Sequence, residues 1–422
     1  MNNNTLLKGK KILLGVTGSI SIYKSLELIR LYIKSGADVR VIMSESAKRF
    51  VTPLSFEAIS QNSVLDENSE SWANDFNHID IGKWADIFVI APVSANTINK
   101  LSNGIADNLL TQIALAHVGK KILAPAANTN MYKNTITQNS IKMLKLMNYE
   151  IVEPQSKVLV CGDEGNGALA DVKDIFYKSA QVLLRDPFWT NRRVVVSGGG
   201  TREKIDSIRY ISNFSSGKMG NALSLALYLR GADVCLISTK DTSSLPQDIY
   251  VIDVDNSEEM REYLVDAIRV AKKGIMTKAT LMDDSVPELI QKKPYLFMVA
   301  AVSDYKPKFP QVGKLKKEML GKSWNLELEQ NIDILSSINT EGIFALGFKA
   351  EIDKDAGLTN ARRMLSQKSL DAVCLNVVEE SSFGSDENEI ALIFSNKKIE
   401  LPKQSKLDIS LAVIEELKNV GE

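Results

Sequence analysis

Short apolar runs rich in β-branched residues alternate along this chain with longer segments whose apolar positions recur at helical spacing. Lys11–Val16 is the first run. The small-residue turn Gly15–Ser19 follows, and an amphipathic segment from Ile20 to Lys34 stops at Gly36, a residue suited to end a helix. Val39–Met43, Ile87–Ala91 and Ile122–Pro125 read as further strands, with helices near Thr97–Leu101, Asp107–His117 and Thr135–Leu146. Strands that alternate with helices predict an α/β architecture with a mostly parallel sheet.

After a helix near Asp174–Leu184 comes Asp186-Pro187-Phe188-Trp189, and the alternation restarts. A strand at Val194–Ser197, a glycine turn at Gly198–Gly200, a helix from Gly217 to Arg230 and a strand at Val234–Ser238 repeat the opening plan. Later strands are expected at Leu296–Ala301, Ile343–Phe348, Ala372–Leu375 and Ile390–Ser395, with a closing helix over Lys406–Lys418. The pattern predicts an α/β chain of two tandem Rossmann-like domains, 1–188 and 189–422.

Composition narrows the function classes. A chain of 422 residues suits two or three domains. Its 51 Lys+Arg against 52 Asp+Glu leave a net charge of -1, which argues against a nucleic-acid partner. With 44% hydrophobic and 24% charged residues the chain has a globular composition. No apolar run is long enough to span a membrane, and the N-terminus lacks a signal-peptide pattern, so a cytoplasmic, membrane-free protein is expected. Three cysteines make no disulfide framework, and two histidines, His78 and His117, all but exclude a multi-histidine metal site.

In the first half, Gly15-Val16-Thr17-Gly18-Ser19-Ile20 sits at a strand-to-helix turn, where free N–H groups attract a phosphate. The G-x-G-x-x-G fingerprint is missing from both glycine turns, which disfavours an NAD-dependent oxidoreductase and suits a mononucleotide better. Ser94-Ala95-Asn96-Thr97 follows a buried strand and reads equally as a helix cap or a ligand contact. Together with Asn77-His78-Ile79-Asp80, Pro125–Met131 and the Cys161–Gly167 stretch, these segments resemble the homo-oligomeric flavin-containing cysteine decarboxylase family. Ala127 stands where that family's Pro-x-Met-Asn-x-x-Met signature has its first methionine.

The resemblance implies a flavodoxin-like domain that binds FMN through Gly15, Thr17, Gly18, Ser19, Ile20, Ser44, Ser94, Ala95, Asn96 and Thr97. It further implies His78 as base or charge-positioning group, Asn128 as substrate holder and Cys161 as the acid that returns a proton. FMN would carry the electron-transfer step of decarboxylating an acylated cysteine, and the protein would supply position and protons.

In the second half, Ser197-Gly198-Gly199-Gly200-Thr201 forms a second glycine turn after a strand, suited to phosphate oxygens. Ser215-Ser216-Gly217-Lys218-Met219-Gly220 departs from a P-loop at Met219 and reads as a helix start. Lys314-Leu315-Lys316-Lys317 is a loop cluster, read either as a solvated face or as a counter-charge for a triphosphate. These segments resemble the phosphopantothenate–cysteine ligase domain, which bacterial bifunctional enzymes carry after the flavin domain.

That likeness implies CTP-dependent activation of 4′-phosphopantothenate as an acyl-cytidylate, captured by the cysteine amine. The product, 4′-phosphopantothenoylcysteine, would then be decarboxylated to 4′-phosphopantetheine. It assigns catalysis to Asn213 and Lys314, and nucleotide or substrate binding to Gly199, Gly200, Arg209, Asp304, Asn331, Ile332, Asp333, Ile334, Phe348 and Lys368. Mg2+ would accompany the phosphates without protein ligands identified in the sequence. A homo-oligomer of trimeric flavin domains and dimeric ligase domains is implied as well. Ile332 and Met364 depart from the residues usual at those positions.

Overall fold

A computed structural model of the chain describes residues 5–72, 77–158, 164–281, 286–377 and 384–421. The chain divides into two compact units, Met1–Leu184 with Lys278–Pro287, and Arg185–Thr277 with Glu288–Glu422.

The first unit is built on five strands: β1 (Lys11–Val16), β2 (Asp38–Met43), β3 (Ile87–Val93), β4 (Lys120–Pro125) and β5 (Tyr149–Ile151). Their order is β2-β1-β3-β4-β5, and every neighbouring pair is parallel. All of β3 is buried, as a central strand covered on both faces must be. Leu13, Phe88, Ile90 and Leu123 from the sheet pack with Ile98, Leu110, Ile113 and Leu144 from the helices.

The helical segment after β1 opens as a 3-10 turn, Ile20–Ile22, before the α-helix Tyr23–Lys34. Helices Pro53–Ser60 and His78–Trp84 lie outside the elements read from the apolar pattern, because each is too short to display a period. An antiparallel hairpin of Gln155–Val158 with Glu164–Ala168 was likewise unforeseen.

His117 caps the end of helix Leu109–Ala116, buried, with its Nδ1 donating to the Gly82 carbonyl at 2.7 Å. Burial pushes this imidazole below its ordinary value of 6.5. The unfolded chain therefore binds the proton more readily than the fold does, and stability is lost as pH falls below the ordinary value. We expect the melting temperature of the first unit to drop between pH 7.5 and 5.5, and that slope to flatten in His117→Asn.

The second unit holds an eight-stranded mixed sheet. Tyr250–Asp253, Asp233–Ser238, Arg193–Gly198, Tyr295–Met298, Phe344–Glu351 and Ala372–Val377 run parallel in that spatial order. Glu387–Ile393 and Lys398–Ser405 complete the sheet antiparallel. The strand expected over Leu296–Ala301 ends at Met298. Ser197 Oγ accepts from the Val299 and Ala300 N–H groups at 3.1 Å each, which draws the chain out of the ladder.

Val195, Leu296, Ala345 and Val373 form the floor of this unit's core, with Leu264, Ile268 and Leu365 from flanking helices. Trp189 is fully buried 5.0 Å from the Tyr295 ring, and the Arg192 guanidinium lies 3.9 Å over Phe188. The segment after Pro187 thus belongs to the second unit's packing. No described helix is long and apolar enough to cross a membrane.

Candidate active sites

A sheet of order 2-1-3-4-5 reverses its winding between β1 and β3, and the loops leaving those two strands open a crevice at their carboxyl ends. Thr17 stitches the loops together. Its N–H and Oγ1 both donate to the Pro92 carbonyl, at 3.1 and 2.9 Å, and Oγ1 accepts from Ser94 N–H at 2.9 Å. Gly18 lets the loop after β2 approach, since a Cβ there would stand 2.7 Å from Ser46 Cβ.

Two helical starts face this crevice region with side-chain caps. Ser19 Oγ accepts from Ser21 N–H at 3.2 Å, and Ser94 Oγ accepts from Thr97 N–H at 3.3 Å. Ser44, leaving β2, has a buried hydroxyl without a hydrogen-bond partner among the described residues. A capped N-terminus on each side and an orphaned hydroxyl fit a polar, phosphate-bearing ligand at this point of the fold.

The individual residues divide. Gly15 lies inside β1, where a Cβ would press on Phe88 at 3.0 Å, so it serves packing. Thr17, Ala95 and Thr97 are buried, whereas Ile20 and Asn96 are exposed.

His78 is the first residue of helix His78–Trp84, whose start is capped by the Asn77 side chain accepting from Ile79 and Asp80 N–H at 3.0 Å each. Its Nδ1 stands 2.7 Å from Glu70 Oε1, and its backbone N–H donates to the same oxygen at 3.3 Å. The Trp72 ring meets the imidazole edge-on at 5.7 Å between centroids. The hydrogen bond with His78 holds the Glu70 carboxyl below its ordinary range. A carboxylate on Nδ1 fixes the tautomer and leaves Nε2 for chemistry. Glu70 was missed in the sequence, where nothing in the eight-residue separation marks it.

Asn128 follows β4, and its Oδ1 accepts from Asn130 N–H at 2.9 Å to cap the short helix Thr129–Lys133. The hairpin strand Glu164–Ala168 lies against it: Ala127 N–H donates to the Gly167 carbonyl at 3.0 Å, and a Cβ on Gly165 would stand 2.6 Å from Thr129 Oγ1. Cys161 lies outside the described residues.

In the second unit the glycine turn rests on contacts that only glycine permits. Gly199 has φ +81°, and a Cβ there would fall 2.2 Å from Thr239 Oγ1; a Cβ on Gly200 would fall 2.7 Å from the Asn213 carbonyl. Gly199→Ala is therefore expected to destabilise this unit by about 1–3 kcal/mol or more, read as a lower urea midpoint. The turn lines a cleft of about 230 Å3 with Ser215, Ser216, Gly217 and Phe348. Asn213 donates from Nδ2 to the Val302 carbonyl at 2.9 Å, which joins the Asn213 loop to the Asp304 turn.

Arg209 and the Lys314 loop meet at Asp206. Arg209 donates from Nε and Nη2 to Asp206 Oδ2, at 3.0 and 2.6 Å, and from Nη2 to the Leu315 carbonyl at 2.9 Å. Lys314 itself is exposed and forms no ion pair among the described residues.

The 331–334 segment is turned further inward than the sequence reading implies. Asn331 is buried, and its Nδ2 donates to the Ser303 carbonyl at 2.9 Å and to Ser257 Oγ at 3.0 Å, so its side chain supports the turn holding Asp304. Ile334 packs in the core, and Ile332 is partly exposed. Asp333 caps the helix Ile334–Ser337 and pairs with Lys368 at 2.8 Å, bringing two of the expected nucleotide-contacting residues together. Met364 packs on Gly347, where a Cβ would meet its terminal methyl at 2.6 Å; at this position the chain has a core residue in place of a cation. No group of three or more His, Cys, Asp or Glu side chains among the described residues is arranged to hold a metal ion.

Residues 1–184 match the family model described as Flavoprotein, and residues 189–281 and 275–420 match the one described as DNA/pantothenate metabolism flavoprotein C-terminal domain. The coenzyme A biosynthesis bifunctional protein CoaBC of Haemophilus influenzae is 35% identical over 419 residues, which are 97% of this chain and 98% of that protein. Its namesake from Bacillus subtilis is 34% identical over 420 residues, 98% and 97% of the two chains. Among solved structures, a PPC decarboxylase complexed with pantothenoylaminoethenethiol is 32% identical, covers 40% of this chain and 96% of its own, and superposes with a TM-score of 0.37.

Proposed function

The chain belongs to the family of coenzyme A biosynthesis bifunctional proteins CoaBC, a flavoprotein decarboxylase followed by a ligase, and we propose how its own residues share the two reactions. Residues 189–422 couple cysteine to 4′-phosphopantothenate, and residues 1–188 decarboxylate the product to 4′-phosphopantetheine. The observation that carries this division is that each unit gathers assigned residues at the carboxyl ends of parallel strands, around Thr17 and Ser94 in one and Gly199 and Asn213 in the other.

In the ligase half the 4′-phosphopantothenate carboxylate attacks the α-phosphate of CTP. Pyrophosphate leaves, and the cysteine amine then displaces CMP from the acyl-cytidylate. Lys314 neutralises charge that develops on the phosphates, while Arg209 and Asn213 orient the acyl group. Gly199 and Gly200 offer backbone N–H groups to phosphate oxygens, and the Asp333–Lys368 pair with Phe348 borders the nucleotide. Mg2+ would accompany the nucleotide and offset its phosphate charge.

In the decarboxylase half, Ser19, Ser44, Ser94 and the helix starts at Ile20 and Ala95 hold FMN. Bound there, FMN supplies a two-electron acceptor that protein side chains lack. Glu70 orients His78 so that Nε2 handles the proton, Asn128 binds the substrate carboxylate or amide, and Cys161 returns a proton. The same proposal includes a cytoplasmic homo-oligomer, trimeric through the flavin units and dimeric through the ligase units.

The test is mass analysis of products from the purified protein with 4′-phosphopantothenate, cysteine, CTP and Mg2+. 4′-Phosphopantetheine is the expected product. Accumulated 4′-phosphopantothenoylcysteine would mean a silent flavin half, and no product at all would overturn the assignment.

A further inference from the structure

We infer that Asp206 is a positioning residue of the ligase half, its carboxylate docking the loop that carries Lys314 onto the Arg209 guanidinium. The inference rests on the assignment of Lys314 and Arg209 to acyl activation made above. Asp206 has a fully buried side chain. Its Oδ1 accepts from the Ile208 and Arg209 N–H groups at 2.8 and 2.7 Å. Its Oδ2 accepts from Arg209 Nε and Nη2 at 3.0 and 2.6 Å, and from Leu315 N–H at 3.2 Å.

The geometry closes a ring. Leu315 gives its N–H to the carboxylate and receives the Arg209 Nη2 on its carbonyl, so the two peptide groups that flank one residue are held by one ion pair. On the other side of Lys314, Gly313 N–H donates to Ser207 Oγ at 2.9 Å, and Ser207 N–H donates to the Gly313 carbonyl at 3.1 Å. Gln311 N–H reaches the Ile205 carbonyl at 2.9 Å. Lys314 is thus bracketed by fixed neighbours while its own ammonium stays exposed.

Only an ionised carboxylate offers acceptor lone pairs in two directions with a charge to match the guanidinium fork. Buried this far from water, it needs that full set of donors. Hydrogen bonding from Arg209 holds its carboxyl well below the usual carboxylate range, so it stays charged at neutral pH. A merely local ion pair at i and i+3 would have no reason to reach a peptide 109 residues further along the chain. The reach goes to the loop with the catalytic cation.

The test compares full-length wild type with Asp206→Asn, Lys314→Gln and the double variant, scoring ligase kcat, KM for CTP, and trypsin cleavage after Lys314 and Lys316. A group that acts by placing another within about an ångström is worth about a hundredfold in rate. Asp206→Asn is expected to lower ligase kcat by about that factor with KM for CTP changed far less, and to speed cleavage in the loop. In the Lys314→Gln background the same change should lower kcat less than about threefold. Equal losses in both backgrounds, or unchanged cleavage, would overturn the inference. If Asp206→Asn does not fold, Asp206→Glu takes its place, expected to retain the charge and to cleave between wild-type and freed-loop rates; wild-type cleavage together with wild-type kcat would count against docking. Should Lys314→Gln keep full ligase activity, the role given to Lys314 falls, and the cleavage rates still decide whether Asp206 holds the loop.

Discussion

Lys314→Gln is expected to reduce acyl coupling by about a hundredfold to a thousandfold while leaving decarboxylation of supplied 4′-phosphopantothenoylcysteine at the wild-type rate. Displacement of pyrophosphate concentrates negative charge on oxygens that water would otherwise solvate. A cation already held beside them stabilises that charge with little reorganisation. The ammonium of Lys314 is exposed, and the peptides on either side are tied to the 205–209 turn. Glutamine keeps most of the length and a hydrogen-bonding group but loses the charge. Pyrophosphate release and CO2 release, measured on the same preparation, separate the two activities. Parallel loss of both would show that the two reactions do not occupy separate sites.

His78→Asn should give the opposite result, with CO2 release down by about a thousandfold and acyl coupling intact. Asparagine retains a polar group but has neither the second ring nitrogen nor the proton affinity of imidazole. The 2.7 Å contact of Glu70 with Nδ1 predicts a graded companion. Glu70→Gln keeps a hydrogen-bond acceptor without the charge, and is expected to lower the rate by about tenfold. A wild-type rate in Glu70→Gln would mean that the contact is incidental, and a wild-type rate in His78→Asn would remove His78 from the reaction.

Much of the plan was legible because it depends on near neighbours in the chain. Lys11–Val16 and Thr135–Leu146 have the same bounds in the structure as in the sequence reading. The apolar period alone defines them. The cap offered at Ser94 likewise acts within three residues of itself. The strand expected to reach Ala301 shows the limit. A side chain more than a hundred residues away, Ser197, takes up the N–H groups that would have continued the ladder.

The sites divide in the same way. Gly199, Asn213, His78 and Lys314 could be nominated as candidates because the residue types that the proposed chemistry needs occur in short, ordered motifs. Glu70 and the reach of Asp206 to Leu315 were not. Each is a single acidic residue whose role exists only once a folded partner stands within hydrogen-bond distance. Asn331, expected to contact the nucleotide, and Met364, noted only as a departure from the residue usual there, both turn inward in the fold, one onto the Ser303 carbonyl and one onto Gly347.

By itself, then, the sequence determined the alternation of strand and helix and the two glycine turns and offered the candidate reactive side chains, all properties of local backbone preference and chemical type. The tertiary structure alone decided the sheet order that opens each crevice, which carboxylate meets His78 Nδ1 and which one accepts from the Leu315 N–H beside Lys314. Those depend on chain segments brought together from far apart, and burial in a shared core, rather than any local signal, holds them in place.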